Sequence, residues 1–226
     1  MLHYKDEFET QNAKIIRFNI GSFGVNTYIV ICKRTLEAAV IDPGGENPAI
    51  LERIKREGVR VTHLLFTHAH VDHMFGAQEL KDAIPEAKVT YHAKERPVVE
   101  FIPKMCAMFG VPERPMPAQE MDLEQTPEFS VGCLQVRSLL TPGHTPGGVC
   151  YLIAEEKIAF TGDTLFKGSV GRTDFEGGSG IELRKSLDRI VEIFPDDVQI
   201  LPGHGKYSNM AQEKATNFYF RVDYWR

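Results

Sequence analysis

Seven side chains of the types that bind metal ions fall in four short segments of the chain. They are His68, His70, Asp72, His73, His144, Asp163 and His204. Imidazole nitrogen and carboxylate oxygen are ligands that zinc accepts, and iron and manganese also suit such a mixed site. The pattern therefore predicts a metal centre.

The densest segment has the pattern H-x-H-x-D-H. Residues two apart in an extended chain project to the same side, so His68 and His70 can reach one ion together. Asp72 and His73 follow where we expect the chain to turn into a helix. That change of direction aims them at a second ion nearby, which makes two divalent ions, with zinc preferred, the expected cofactors.

The three later segments share one form, an apolar strand-like run followed by a Gly-rich or Pro-rich turn that carries one ligand-type residue. Any one of them alone is more often an ordinary turn. Three of them together with H-x-H-x-D-H favour a metal site. His3, His63 and His92 lie outside such turns, and we interpret them as surface or satisfied core residues.

The elements that must position these segments are short strands and amphipathic helices that intermix along the chain, typical of a layered α/β domain. Strands are predicted at residues 14–20, 26–32, 38–41, 61–66, 88–92, 133–140, 149–153, 157–161 and 198–201. Helices are predicted at residues 48–57, 74–80, 95–109 and 181–194, and an irregular connection at 111–127. Each ligand segment thus follows a strand.

Composition restricts the class of protein. A chain of 226 residues, 42% hydrophobic, suits one domain over residues 1–226 with a substantial core. The net charge of −5 and scattered basic residues argue against a nucleic-acid partner. The polar amino terminus and the lack of a long apolar stretch predict a cytoplasmic protein without membrane contact. The cysteines are distant in sequence and are interpreted as reduced thiols; they are Cys32, Cys106, Cys133 and Cys150.

These motifs resemble the metallo-β-lactamase superfamily, whose hallmark is H-x-H-x-D-H with a later His, Asp and His. The resemblance covers about residues 26–204 and implies a four-layer αβ/βα sandwich. It also implies that Asp163 bridges two ions and that Asp42 supports the site from behind. The ligands implied for the separate ions are His68, His70 and His144 for one, and Asp72, His73 and His204 for the other.

A finer resemblance is to the glyoxalase II-like branch, the hydroxyacylglutathione hydrolases and their short relatives. It rests on the T-G-D-T-L-F segment that starts at Thr161, the G-S-V-G-R-T-D-F segment that starts at Gly168, and the L-P-G-H-G segment. The extra carboxy-terminal helical region of full-length glyoxalase II is not expected here. Arg172 stands where those enzymes have an anion-holding lysine, while Asp174 replaces a tyrosine. Arg172 is thus predicted to bind substrate, a structural ion pair with Asp174 being the alternative.

The expected activity is hydrolysis of a small anionic thioester or related ester by hydroxide that the paired ions supply at neutral pH. Asp72 or Asp163 would carry a proton toward the leaving group. Two alternatives stay open: a mono-iron persulfide dioxygenase, whose sequences also contain Gly-Arg-Thr-Asp-Phe, and a non-catalytic metal-binding scaffold. The sequence leaves the native substrate and the oligomeric state open.

Overall fold

The fold is a four-layer αβ/βα sandwich, in which two sheets pack face to face and helices cover both outer faces. This confirms the α/β class and the layering that the resemblance implies. The computed structural model describes residues 3–221, and the side chains from Glu7 onward. The interpretation of His3, and both ends of the domain predicted over residues 1–226, lie outside the residues or side chains that are described.

The first sheet has seven strands in sequential order, antiparallel from β1 to β4 and parallel from β4 to β7. Its strands are β1 (His3–Glu9), β2 (Ala13–Ile20), β3 (Val25–Cys32), β4 (Glu37–Ile41), β5 (Arg60–Leu65), β6 (Lys88–Tyr91) and β7 (Met121–Asp122). All of β3 is buried, because this central strand is covered on both faces.

The second sheet has six strands in the order β15-β14-β11-β10-β9-β8, with β11 and β14 parallel. Its strands are β8 (Glu128–Val131), β9 (Leu134–Leu140), β10 (Val149–Ile153), β11 (Ile158–Gly162), β14 (Gln199–Pro202) and β15 (Ser208–Asn209). A separate two-stranded hairpin follows β11 and precedes β14 in sequence, and it consists of β12 (Leu165–Phe166) and β13 (Ser169–Val170).

Three apolar cores hold the layers together. The helices are α1 (Pro48–Glu57), α2 (Val71–Met74), α3 (Ala77–Ala83), α4 (Arg96–Phe109), α5 (Gly180–Ile193) and α6 (Met210–Thr216). One core lies between the first sheet and α1 to α4, a second between the two sheets, and a third between the second sheet and α5 and α6. Burial of these faces is the main driving force that fixes the sheet edges in place.

The helix predicted at residues 74–80 is instead divided into α2 and α3, with Gly76 between them. A Cβ at Gly76 would collide with the side chain of Asn47 and the carbonyl oxygen of Gly45. Asn47 also donates a hydrogen bond of 2.9 Å from Nδ2 to the carbonyl oxygen of Gly76. The break is therefore set by packing against the loop before α1, which local periodicity does not report.

Other differences concern short or edge elements. The polar amino terminus forms the edge strand β1, the irregular stretch 111–127 contains β7, and β8, β12, β13, β15 and α6 were not predicted. Cys32 and Cys133, distant in sequence, have their sulfur atoms 3.1 Å apart, and all four cysteines are free thiols. Among the described residues, no helix combines the length and apolar character needed to cross a bilayer.

Candidate metal centre

The four segments that carry the predicted ligands meet at one end of the two sheets. β5 runs into His68, β11 into Asp163 and β14 into His204, while His144 lies in the turn after β9. β11 and β14 are parallel neighbours, so their carboxyl ends lie side by side. The topology thus brings together residues that are up to 136 positions apart, 204 minus 68.

Backbone hydrogen bonds fasten these segments to one another. The amide of Val149 donates to the carbonyl oxygen of Thr67 at 2.8 Å, which joins the two sheets beside the first ligand segment. Gly203 donates to Gly162 at 2.8 Å and accepts from the amide of Asn26 at 2.7 Å. A Cβ at Gly203 would collide with Asp163, so only glycine allows this approach.

The first segment supplies two sets of ligands because its backbone changes direction after His70. His70 is extended, with φ −66° and ψ 148°, and the single helical turn α2 begins immediately after it. The amide of His73 donates to the carbonyl oxygen of His70 at 3.0 Å. Asp72 and His73 lie on this turn, where the ring centroid of His73 is 4.0 Å from that of His68.

Three imidazoles form the first group of the centre. The ring centroids of His68, His70 and His144 are 4.6–4.8 Å apart, with the rings nearly perpendicular. All three side chains are buried, and one ring nitrogen from each lies within 4.8 Å of the others. Such a set of converging nitrogens fits one metal ion.

A second group lies next to the first. Asp72, His73 and His204 each offer one ligand atom, and these atoms lie within 4.8 Å of one another. Asp72 Oδ2 is 3.1 Å from His204 Nε2, and His73 Nε2 is 3.3 Å from His204 Nε2. A further combination, of His68, His73 and Asp163, also has its ligand atoms within 4.8 Å of one another and joins the two groups.

The carboxylate of Asp163 lies between the two groups. Its Oδ1 is 3.4 Å from His73 Nε2, and its Oδ2 is 3.6 Å from both His144 Nε2 and His204 Nε2. These distances suit an oxygen ligand shared by neighbouring ions better than an isolated ion pair. The bridging role of Asp163 stays a prediction, and the carboxylate lies within 3.6 Å of imidazoles of both groups.

Several of these polar atoms are buried without any hydrogen-bond partner. Among the described residues they include His68 Nε2, His144 Nε2 and Asp163 Oδ1. Leaving buried polar atoms unpartnered costs about 1–3 kcal/mol each. Because these atoms belong to the same converging donor set, two divalent ions fit the site and would satisfy all of them at once.

The pKa shifts of the side chains also suit cation binding. Burial lowers the pKa of His70 to about 3 and holds the pKa of His68 well below its usual range. Burial alone would raise the pKa of Asp163, but the hydrogen bond and charge of His73 together with the charges of His144 and His204 outweigh it and leave that pKa below its usual range. Neutral imidazole and ionised carboxylate are the protonation states that ligate metals.

Asp42 supports the centre from behind. Its Oδ1 accepts from the amide of Thr67 at 2.8 Å, and its Oδ2 accepts from the Thr67 hydroxyl at 2.7 Å and lies 3.0 Å from His73 Nδ1. Both Asp42 and His73 are fully buried. Asp42 thus orients His73 directly. Through Thr67 it also fixes the end of the strand that precedes His68, which is the supporting role that the resemblance implies.

Glu95 is a supporting residue that the sequence analysis missed. It is fully buried, and its carboxylate accepts two short bonds of 2.6 Å, from the amide of Ala69 and from the amide of Gly147. One carboxylate therefore joins the His68–His70 segment to the His144 turn. The only sequence signal was an acidic residue directly before an apolar helix, which is also what an ordinary helix start shows.

Arg172 lies at the rim of the centre and is engaged by its neighbours. Its Nε and Nη2 each donate to a carboxylate oxygen of Asp174 at 2.6 Å, and its guanidinium lies 4.0 Å from the ring centre of Phe175. Its carbonyl oxygen is 2.7 Å from His144 Nδ1, which fixes that imidazole. The Arg172–Asp174 pair considered in the sequence analysis is therefore present.

The remaining described histidines lie away from the centre. His63 is buried, contacts the Thr62 hydroxyl at 2.8 Å and packs on Phe129, and burial lowers its pKa to about 4. His92 is buried and accepts a bond from the amide of Lys94. Both are satisfied within the fold, which agrees with their interpretation as structural residues.

Comparison with known proteins places this geometry in a family. The sequence model of the Metallo-beta-lactamase superfamily matches residues 20–204, which contain all seven predicted ligands. Hydroxyacylglutathione hydrolase GloC of Haemophilus influenzae is 35% identical over 181 residues, which cover 80% of this chain and 85% of that protein.

Two solved structures are similar over most of the chain. TTHA1623, crystallised in a di-iron-bound form, is 29% identical with a TM-score of 0.78, covering 89% of this chain and 98% of that one. ETHE1 from Myxococcus xanthus is 25% identical with a TM-score of 0.72, covering 96% of this chain and 84% of that one.

Proposed function

Because the chain belongs to the metallo-β-lactamase superfamily, we propose that it is a binuclear metal-dependent hydrolase that cleaves an acyl thioester. One observation carries the proposal: five imidazoles and two carboxylates converge in two adjoining groups that share Asp163. The likeness to GloC of Haemophilus influenzae supports the thioester as the bond that is cleaved.

The side chains divide between the ions by position. His68, His70 and His144 would hold one ion, Asp72, His73 and His204 the other, with Asp163 on both. When bound, such a pair lowers the pKa of coordinated water and polarises a carbonyl, which is the chemistry that thioester hydrolysis requires. Zinc is the proposed metal, and iron is the alternative because the similar protein TTHA1623 was crystallised in a di-iron-bound form.

The chain's own groups have further roles in this proposal. Asp72 is more exposed than Asp163, its side chain being 20% accessible against 11%, and both line the cavity beside the centre. We assign to Asp72 the transfer of a proton toward the leaving sulfur, with Asp163 as the alternative carrier. Arg172, exposed at the rim, is placed to meet an anionic group on the carrier thiol.

A second candidate is the mono-iron persulfide dioxygenase. The Gly-Arg-Thr-Asp-Phe segment borders the cavity, and the likeness to ETHE1 keeps this candidate open. The complete second group of Asp72, His73 and His204 favours the hydrolase, because a single iron does not need it. A non-catalytic scaffold is the least favoured, since all seven ligand positions are filled by ligand-type residues.

The deciding experiment compares thioester cleavage with oxygen uptake. Purified protein loaded with zinc should release free thiol from an acyl thioester, detected with a thiol reagent, and an oxygen electrode should record no uptake with glutathione persulfide. Removing metal with a chelator should abolish cleavage, and adding zinc should restore it. Rapid oxygen uptake without thiol release would reject the hydrolase in favour of the dioxygenase.

Matched variants test the two-ion assignment. His63→Asn changes a buried histidine outside the centre and should leave metal content at two ions per chain. Asp72→Ala should reduce it toward one ion, because Asp72 belongs to one group only. One tightly bound ion in the unaltered protein, unchanged in Asp72→Ala, would contradict the binuclear site. If the protein holds two ions but shows neither thioester cleavage nor oxygen uptake, the result favours the scaffold.

A further inference from the structure

A groove with apolar walls opens directly onto the metal centre. Its volume is about 460 Å³, within the range of about 300–1,000 Å³ usual for small-molecule sites. Its floor includes His70, His144 and Asp163, whereas its walls are apolar. We call it the aromatic groove and define it by Phe23, Phe101, Met105, Phe109, Phe166 and Phe175.

Aromatic rings line the path from the metal ligands to the mouth of the groove. The ring centroid of Phe175 is 5.5 Å from that of the predicted ligand His70 and 6.3 Å from that of Phe109. The ring centroids of Phe109 and Phe23 are 5.4 Å apart. Each pair meets edge to face, an arrangement that favours close aromatic contact. A continuous apolar wall thus begins at the site of chemistry.

The mouth of the groove exposes apolar side chains to solvent. Phe23, in the turn between β2 and β3, is 42% exposed, while Met108 and Phe109, at the end of α4, are 58% and 40% exposed. These are three of the seven large apolar side chains exposed in the part of the chain that is described. Apolar surface concentrated at one opening marks a binding site.

Few charged residues border the groove: Asp72 and Asp163 belong to the candidate metal centre, and Arg172 and Glu176 lie in the segment that carries Phe175. Among the residues that border the groove, Arg172 is the only lysine or arginine, and its guanidinium is bound by Asp174 and lies on Phe175. The α4 side chains that line the groove are all apolar, and Lys104 on the same helix lies 4.6 Å from the ring centre of Phe101 without lining the groove. Burying a carboxylate there without a partner is strongly unfavourable.

We propose that the aromatic groove binds the acyl group of the substrate, and that this acyl group is an apolar straight chain. The inference rests on the proposed thioester hydrolysis and specifies the acyl class. The carbonyl lies at the metal end, the acyl group extends along the rings of Phe175, Phe109 and Phe23, and any charge of the carrier thiol lies at the rim near Arg172.

The test is a chain-length series of neutral thioesters. Acetyl, butanoyl, hexanoyl and octanoyl thioesters of N-acetylcysteamine differ only in the acyl group. With the zinc-loaded protein, kcat/KM should rise about fourfold for each added methylene as far as hexanoyl, since each buried methylene contributes about 0.8 kcal/mol. A flat or falling series, with acetyl thioester cleaved, would overturn the inference while leaving thioester hydrolysis intact.

Matched variants locate the effect. Phe109→Ala, and separately Phe23→Ala, should lower the ratio of kcat/KM for hexanoyl to acetyl thioester about fivefold. Phe218→Ala removes a phenylalanine that is similarly exposed, at 50%, but outside the groove, and should leave that ratio unchanged. An equal change of the ratio in all three variants would contradict the assignment to this groove.

A binding measurement separates the inference from the proposed activity. The fluorescence of 8-anilinonaphthalene-1-sulfonate should increase on binding metal-depleted protein, decrease on adding the hexanoyl thioester, and respond at least tenfold less to the acetyl thioester. The Phe109→Ala variant should bind the probe more weakly. If no thioester is cleaved, the proposed activity fails. Binding without this chain-length preference would then overturn the groove assignment as well.

Discussion

Asp42 orders the metal centre although it is not one of the predicted ligands. Its backbone has φ 50°, in the left-handed region that aspartate tolerates better than most residues other than glycine. This conformation turns its carboxylate back under Thr67 and His73, where it meets three polar groups. Residues that orient ligands in this way commonly affect metal affinity as much as some ligands do.

Asp42→Asn should therefore weaken zinc binding about ten- to a hundredfold. The substitution keeps the size of the side chain. However, the amide nitrogen of asparagine would face a polar group of Thr67 or His73 that meets a carboxylate oxygen in the unaltered protein. Competition with a chromophoric chelator measures the affinity. Asp174→Asn makes the same chemical change at an exposed site and should leave zinc affinity unaltered. Equal affinities in the two variants would rule out an orienting role for Asp42.

Arg172 is engaged by Asp174, yet the pair is more than half exposed on both sides. Exposed pairs are weak, so an anionic carrier can displace Asp174 at small cost. A guanidinium can hold a carboxylate of the carrier through two parallel hydrogen bonds, which a neutral carrier does not offer. Arg172→Ala should therefore lower kcat/KM about tenfold for an acylglutathione but by less than threefold for the matching N-acetylcysteamine thioester.

The control for this prediction is Asp174→Asn, which leaves the guanidinium in place without its partner. It should retain or raise kcat/KM for the acylglutathione. Equal losses for both thioesters in Arg172→Ala, accompanied by a lower melting temperature, would mean that the pair serves only to hold the loop and Phe175.

The start of α4 links two ligand segments that come from different sheets. Glu95 directly precedes α4, and its carboxylate is shared between the amides of Ala69 and Gly147. Gly147 passes close to this point, since a Cβ there would press on the backbone of Glu95. The helix thus both borders the aromatic groove and sets the distance between the His68–His70 segment and the His144 turn.

Glu95→Gln should lower stability by about 2 kcal/mol, because an amide group would face one of the buried backbone donors. For a chain of this size the melting temperature should fall by about 4–8 °C. Calorimetry on the zinc-loaded protein measures it. Glu100→Gln, on the exposed side of the same helix, is the matched control and should shift the melting temperature by less than about 1 °C. Similar shifts in both would contradict the linking role.

The stability of the whole molecule should depend on pH differently with and without metal. Burial alone would lower the pKa of His73 and of His204, but nearby carboxylates outweigh burial and raise both pKa values above 6.5. For groups with a raised folded-state pKa, the stabilisation is fully present below pH 6.5 and is lost as pH rises through the folded-state pKa. Metal binding requires the neutral imidazoles, so the loaded protein does not have this stabilisation and its stability does not fall with it as pH rises.

The gap in melting temperature between zinc-loaded and metal-depleted protein should therefore widen from pH 6.5 to pH 8.5. Scanning calorimetry at several pH values, with constant free zinc or constant chelator, measures the gap. Each histidine contributes at most about 1.4 kcal/mol per pH unit. A gap that stays constant or narrows over this range would show that these histidines do not couple proton release to metal binding.

The identity of the candidate ligands followed from the sequence alone, because residue type and spacing define a metal-binding pattern without knowledge of the fold. H-x-H-x-D-H predicted an extended segment followed by a helical turn, and the structure has His70 extended and α2 directly after it. The buried strands were predictable for a similar reason. Their apolar runs are continuous, since layers cover both faces.

Tertiary structure decided what local pattern does not contain. The break at Gly76, the edge strand β1 and the approach of Cys32 to Cys133 depend on neighbours distant in sequence. Glu95 resembles any residue at a helix start until the fold brings Ala69 and Gly147 to its two oxygens.

The aromatic groove is likewise a product of the fold. Phe23, Phe109 and Phe175 come from three separate segments, and only packing of the layers turns them into one wall beside His70. Each candidate ligand stands in a short motif that is recognisable along the chain, whereas the shape of the groove depends on contacts between distant residues. The sequence by itself therefore determined which side chains are candidate metal ligands, and the tertiary structure decided how they converge and which surfaces lie beside them.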